Sequence, residues 1–464
     1  MQPNERKRVM KLAWIVVIYQ VFGSYALIII QNYGNYVMTN VAGLTPALAA
    51  TVMSISSMFL VIWSLFNGAI VQKTRSRWGQ FRPWYMFGIY VCVGSGYLMY
   101  LKFGNAVILT AVVVAIGYIL PNALMDLLYT ARQGMFMQMA QGNGEANVIF
   151  GSYNWIGTYI GYFIAGATTV PLVNFFGKGS EALGFIGAHT VYGISCFIGY
   201  AILVKAAKPY DLPNKDAEIA VEKRASLVDM VKGVITNKAG VVVILADIGR
   251  FTGYYALMNL IAFQCTYVIG DLNASATVFS ITNLGGLAGS YIATILSNKV
   301  GRKMAIRISD VGSVIMLLGI IPFGKTVIGL TAIITIYQTI SSIADGVDPA
   351  LYIDAGQYSL YLKGKDTRSY FNSMYNVAVK ASLGLAGIIS NGVLAAMNYD
   401  ADMVLDAAGK AHMSMLVGGA CAACYLVPVI VMFFHPMSDA QADEYAAKNL
   451  AAEKAALGAT EAAE

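Results

Sequence analysis

Between two long apolar runs the chain carries TRSRWGQFRPW, Thr74 to Trp84. Arg75, Arg77 and Arg82 cannot enter hydrocarbon cheaply, so this turn has to sit in water at a membrane face. It therefore fixes the orientation of the segments on either side. A fainter copy, SNKVGRKMAIR (Ser297 to Arg307), follows after close to half the 464-residue length, with Gly301 in the place of Gly79. The chain reads as two related halves.

Composition agrees. The chain is 57% hydrophobic and 12% charged, whereas a soluble domain carries about 25% charged residues. So few charges could not solvate a globule of this size, and the apolar residues gather in runs of roughly 20 or more, enough to cross a bilayer. The net charge of +6 sits largely in short loops. It reflects topology and gives no support to nucleic-acid binding. Cys421 and Cys424 form a C-x-x-C inside GGACAACYLVPVIVMFF. They read as small residues at a helix–helix contact rather than a redox or metal pair. His189, His412 and His435 sit near predicted helix ends and make no metal-ligand pattern.

Apolar segments are predicted near 12–37, 47–72, 84–101, 106–130, 147–173 and 186–204, then 239–268, 275–298, 305–324, 326–350, 369–397 and 411–434. Length and the need to satisfy the backbone internally make them helices. The N-terminus, MQPNERKRVMKLAW, begins like a signal peptide, but the apolar run that follows exceeds an h-region and has no clear cleavage site. It reads as the first membrane helix. If every segment crosses once, Arg6, Lys7, Arg8 and Lys11 share one face with the two basic turns, with Lys205 to Lys238, and with Lys363, Lys365 and Arg368. The opposite loops are poor in basic residues, so both termini are expected in the cytoplasm. The expected architecture is an all-α membrane protein of twelve transmembrane helices in two pseudo-symmetric six-helix halves. Residues 1–204 and 239–434 form the halves, 205–238 a cytoplasmic linker and 435–464 a tail. In the tail, Ser438 and Gln441 have capping-box spacing ahead of a short surface helix.

Two six-helix halves with a basic turn after each second helix resemble the major facilitator superfamily, a class built from paired repeats around a midplane site. KTRSRWGQFRPWYMFG is similar, more narrowly, to the turn of the glycoside–pentoside–hexuronide cation symporters, the melibiose permease-like family. In the stretch Ala344 to Gly387, Asp354, Gly356 and Tyr358 resemble that family's D-Y-G-E-Y element, and Lys380 falls where the family places a lysine on the eleventh helix. The ending HPMSDAQADEY is also similar. The resemblance implies a secondary transporter of the inner membrane, moving a sugar or glycoside-like solute by alternating access with a coupling proton or Na+. It departs in places. Leu60 and Ser64 stand where cation-coupled members carry acids on the second helix, Ser24 replaces an acid on the first, and Trp155 replaces an arginine on the fifth. The acid on the fourth helix persists as Asp126.

Ionisable residues at membrane depth are costly and are usually functional or paired. Asp126, about five residues from the predicted end of the fourth helix, is the candidate proton carrier. Lys380 either neutralises it or stands in for a bound cation. Asp247 and Arg250, at i and i+3 on the seventh helix, read equally as a coupling pair or a local structural pair. Asp345 and Asp348 are expected at a solvated helix end, with a bend at Gly346 and Pro349. Asp354 is expected to hold a cytoplasmic gate with Arg75, Arg77 and Arg82. Amides and phenols hydrogen-bond hydroxyls while rings cover flat apolar faces, so Tyr25, Asn32, Trp155, Tyr159, Tyr255 and Asn376 join Asp126 and Lys380 as candidate solute contacts. Gly157 and Gly161 read as a close-packing G-x-x-x-G. The lost acids and Trp155 leave a second reading open, a less polar solute such as a steroid or aromatic glycoside without sodium coupling; a non-transporting sensor is the third. No Walker motif, catalytic acid pair or metal cluster argues for an enzyme. The expected partners are a small-molecule solute and the lipid bilayer, with the chain a monomer and no cofactor beyond the coupling ion.

Overall fold

The computed structural model describes residues 3–74, 76–141, 144–211, 236–363 and 368–449; most of the expected linker, Arg75 and the end of the tail lie outside them. Eleven helices among these residues are long and apolar enough to cross a membrane. In the first half α1 runs Pro3–Gly23 and resumes as Tyr25–Tyr36, α2 is Pro46–Lys73, α4 Val107–Ala140, α5 Gly144–Gly177 and α6 Glu181–Ala207. In the second half α7 is Lys238–Phe263, α8 Ala274–Val300, α9 Arg302–Leu318, α10 Val327–Lys363, α11 Arg368–Ala396 and α12 Ala407–Val431. The third segment, α3 (Ile89–Gly96), is the exception. A π turn, Trp84–Gly88, precedes it and a 3-10 turn, Tyr97–Tyr100, follows. The expected twelve are thus eleven spanning helices and one broken segment.

Local chemistry sets several starts. Thr45 accepts from the Leu48 amide ahead of Pro46, and Asn237 and Asp406 cap α7 and α12 in the same way. In the tail, Gln441 N–H donates to Ser438 Oγ (3.3 Å) and Ser438 N–H to Gln441 Oε1 (2.9 Å), the reciprocal capping box the spacing predicts. Two helices outrun their apolar stretch: α4 continues to Ala140, and α10 runs through Gly346 and Pro349 without the expected break. Their polar side chains beyond the apolar run find protein partners, so nothing forces the helix to stop.

The halves meet along α1 with α7, α2 with α11, and α5 with α8. Gly157 and Gly161 let α5 approach α1 so closely that a methyl at either would press on the Val17 or Val21 carbonyl, at 2.7 and 2.6 Å. Cys421 and Cys424 are unpaired and buried, and their carbonyls pack on Gly253 and Gly249 of α7.

Each basic turn is tied to the end of its own half by an aspartate. Asp211, fully buried beyond α6, accepts from the amides of Gln80 (2.9 Å), Phe81 (2.9 Å) and Arg82 (2.7 Å). Asp439, beyond α12, accepts from the Lys303 amide at 3.3 Å. The carboxylates sit on the free amides that begin the next segment, where negative charge is favoured. Gly79 (φ +106°) and Gly301 (φ +88°) make room: a Cβ at either would overlap the aspartate. Asp211→Ala is expected to cost about 2 kcal/mol, read as a lowered thermal unfolding midpoint of the detergent-solubilised protein. Gly79→Ala should be worse than Gly94→Ala, where a methyl meets nothing within 4 Å.

Candidate functional site

Side chains from both halves converge midway along the helices on one narrow, partly open cavity with about 40 Å³ of water-accessible space. The first half contributes Ile28, Gln31 and Asn32 of α1, which the 3.6-residue period places on one stripe, and Tyr162 of α5. The second contributes Tyr254, Tyr255 and Met258 of α7, Phe279, Thr282 and Asn283 of α8, and Gln338 of α10. No lining residue is ionised at neutral pH. The Tyr162 hydroxyl reaches Gln31 Oε1 at 3.5 Å, and Gln338 Nε2 donates to Ser342 Oγ at 3.2 Å. Thr282 Oγ1 and Gln338 Oε1 are buried without a partner. The cavity offers hydroxyl-binding groups between aromatic rings.

Outside the cavity lining, Lys380 Nζ of α11 meets Asp126 Oδ1 of α4 at 2.7 Å, an ion pair joining the halves. Both side chains are largely buried, and the second Asp126 oxygen has no partner. Ser57 of α2 donates to the Lys380 carbonyl, so three helices hold the pair. Because α4 continues to Ala140, Asp126 lies deep in the helix rather than near its end.

Asp247 and Arg250 do pair, at 2.6 Å, but in company. Arg250 is also held by Asp310 (3.0 Å) and Asp348 (2.5 Å), and Tyr352 donates to Asp247 (2.6 Å). All four charged side chains are 0–1% exposed. Asp348, expected at a solvated helix end, is instead buried on the guanidinium. In sequence Asp310 carries no sign of burial, because it lies in a basic-flanked stretch, RKMAIRISD, that reads as a helix start. The cluster lies wholly within the second half.

The other candidates scatter. Asn32 and Tyr255 line the cavity. Tyr159 sits below it, its hydroxyl on Ser290 of α8 at 3.2 Å, with Trp155 one turn further, 61% exposed. Tyr25 is buried within the first half, its ring 5.0 Å from Tyr192. Asn376 lies on α11, but its side chain is outside the described ones. Of the gate residues, Arg77 stacks on Trp78 (4.3 Å), Arg82 is buried beside Asp211, and Asp354 pairs with Arg302 (3.2 Å) of its own half's turn. Thr282, Asn283 and Gln338 also line the cavity, and their one signal in sequence is a polar residue breaking an apolar run, as in TAIITIYQTISS.

The two ends of the bundle differ. At the face opposite the basic turns, Asn40 donates to Tyr267 (2.9 Å) and accepts from Tyr399 (2.6 Å), Tyr33 bonds Ser275 (3.0 Å), Asn391 donates to Asn35 (3.1 Å) and Asn174 to Asn273 (2.6 Å). All five join one half to the other. Towards the basic turns, Trp155 and Asp345 are exposed.

A polar and aromatic cavity shared by two helical halves at mid-depth is the arrangement of a secondary transporter. The family model described as MFS/sugar transport protein matches residues 13–439, and the chain belongs to that family. Among curated relatives, it is 23% identical to a lactose permease of Leuconostoc lactis over 72% of this chain, spanning about half (53%) of that protein. It is 22% identical to the inner membrane symporter YicJ of Escherichia coli (strain K12), over 87% of this chain and 85% of that one. A glucuronide carrier protein homolog of the same organism is 21% identical, over 90% and 89%. Of solved structures, the nucleoside transporter NupG aligns with TM-score 0.62 at 13% identity, over 93% of this chain and 100% of that one. A bacterial homolog of the human lysosomal transporter Spinster, inward-facing and unoccupied, aligns with TM-score 0.63 at 9% identity, over 97% and 99%.

Removing Arg250 would strand three buried carboxylates. Arg250→Ala should cost roughly 3–5 kcal/mol, seen as loss of the monodisperse peak in size-exclusion chromatography, whereas Arg77→Ala should leave that peak intact.

Proposed function

We propose that this protein is a secondary active transporter that carries a sugar-like solute across a bacterial cytoplasmic membrane by alternating access, driven by protons. One observation carries the reading: the two halves share both a hydroxyl-binding cavity and a buried ion pair, Asp126–Lys380. A pair bridging two bodies that rock against each other is made in one state and strained in the other, so protonating Asp126 would favour its release. The Lys380 ammonium occupies the place of a cation, and α2 between Pro46 and Lys73 holds no acid to recruit sodium. The names of the relatives (a lactose permease, a glucuronide carrier homolog) support a sugar-like cargo.

The basic turns and both ends of the described chain share one face, which the positive-inside rule assigns to the cytoplasm. With the opposite face latched by Asn40, Tyr267 and Tyr399, the protein is in an inward-open state. The gate residues Arg75, Arg77, Arg82 and Asp354 then await partners from the other half in the outward-open state. Asp247 and Arg250 act, with Asp310 and Asp348, as a buried structural anchor of the second half rather than as the coupling pair. The four aromatic rings around the cavity, from Tyr162, Tyr254, Tyr255 and Phe279, favour an aryl glycoside over a simple sugar within the same class.

The test is uptake into proteoliposomes with pH and sodium gradients applied separately. A pH gradient should drive accumulation and a sodium gradient should not. Asp126→Asn should abolish the pH-driven component while solute counterflow persists. Undiminished pH dependence in that variant, or accumulation driven by sodium alone, overturns the coupling assignment.

A further inference from the structure

Asp345 is the acid of α10 without an ion-pair partner among the described residues: Asp348 is held by Arg250 and Asp354 by Arg302. Asp348, three residues on, is fully engaged at 2.5 Å from the guanidinium, whereas Asp345 is exposed and makes no hydrogen bond or ion pair among the described residues. Its position is not peripheral. It lies seven residues beyond Gln338, two helical turns, and so on the same stripe of α10, about 10 Å nearer the basic turns. It is a free carboxylate facing the route between the open end and the cavity.

The cavity above it has its own unmet demand. Gln338 Oε1 and Thr282 Oγ1, the latter 4% exposed, are buried with no protein partner. Two acceptors at the top and a carboxylate about 10 Å below fit a solute of two rings carrying hydroxyls at both ends. In the first half, Arg132 is engaged within its own half: it donates to Gln20 Oε1 (3.4 Å) and lies over the Tyr129 ring (4.8 Å), though its Nε is unpartnered.

We infer that Asp345 is a specificity-determining residue. It accepts hydroxyl hydrogens from one ring of an uncharged two-ring glycoside whose other ring fills the cavity, and it repels a carboxylate presented at that place. This rests on the sugar-like cargo proposed above and narrows it, separating neutral glycosides from hexuronides. Carboxylates suit the first task because they accept up to four hydrogen bonds, and neighbouring hydroxyls can share one. The second follows from like charge in a cleft less polar than bulk water.

The experiment uses the full chain in detergent and matched pairs that differ only at C6: 4-hydroxyphenyl β-D-glucoside against its glucuronide, and the corresponding galactoside against its galacturonide, by isothermal titration calorimetry. At least one neutral member should bind, and its uronide about tenfold or more weakly, the scale of one screened charge clash. Asp345→Asn should shrink that gap to about threefold or less, and Asp345→Glu, which keeps the charge, should restore it. A uronide that binds the native protein as well as its neutral partner overturns the inference and points to Arg132 as the anion site. So does a gap that survives Asp345→Asn. If no neutral member binds, the sugar-like cargo itself falls and this assignment falls with it; if neutral glycosides bind without discrimination, only the role of Asp345 falls.

Discussion

Hydrocarbon offers no hydrogen bonds, and that constraint shapes this molecule at every scale. The backbone closes on itself as helix wherever it crosses. Where a helix begins near the membrane face, its free amides need an acceptor. Asp211 and Asp439 supply one in each half, reaching back from the end of the sixth helical segment to the start of the third. The same contact closes each half into a ring of helices and sets the basic turn rigidly at the water boundary. Gly79 and Gly301 are glycine because the carboxylate occupies the space a side chain would need.

The halves share a scaffold but treat buried charge differently. The second half holds three carboxylates around Arg250, an arrangement that resists removal of any single member. The first half surrounds Arg132 with phenol rings and one amide. Between them, Asp126 and Lys380 form the pair whose partners belong to different bodies. Charges fixed within a half make it rigid; a charge pair shared between halves responds to their relative motion. This division lets a structure made of stiff parts have one soft coordinate.

The latch at the closed end uses neutral groups. Both first helices of the halves finish in a π turn, Val37–Val41 and Gln264–Ile269, and from these ends Asn40 and Tyr267 reach each other and Tyr399. A widened turn re-aims side chains without breaking the backbone ladder. Amide–phenol bonds at a water-accessible end are each worth about 1 kcal/mol net, so such a latch closes firmly and still opens.

Much of this was legible in the sequence because it depends on composition and period alone. Apolar length, basic turns and their repetition dictated the helices, the two halves and the shared face, and the Ser438–Gln441 spacing dictated its capping box. The Asp126 and Lys380 signals were also readable, since a lone ion in an apolar run has to be answered by something. What answered it was not readable. Partners far apart in sequence meet only through packing, so Asp126 with Lys380, Arg250 with Asp310, and Asp211 with the turn amides required the tertiary structure. The same holds for burial: Asp345 and Asp348 stand three residues apart on one helix and read alike as a solvated end, yet α10 turns one onto Arg250 and leaves the other open to the cleft. Sequence specifies which groups need a partner; only the arrangement of helices in space decides which of them are left without one.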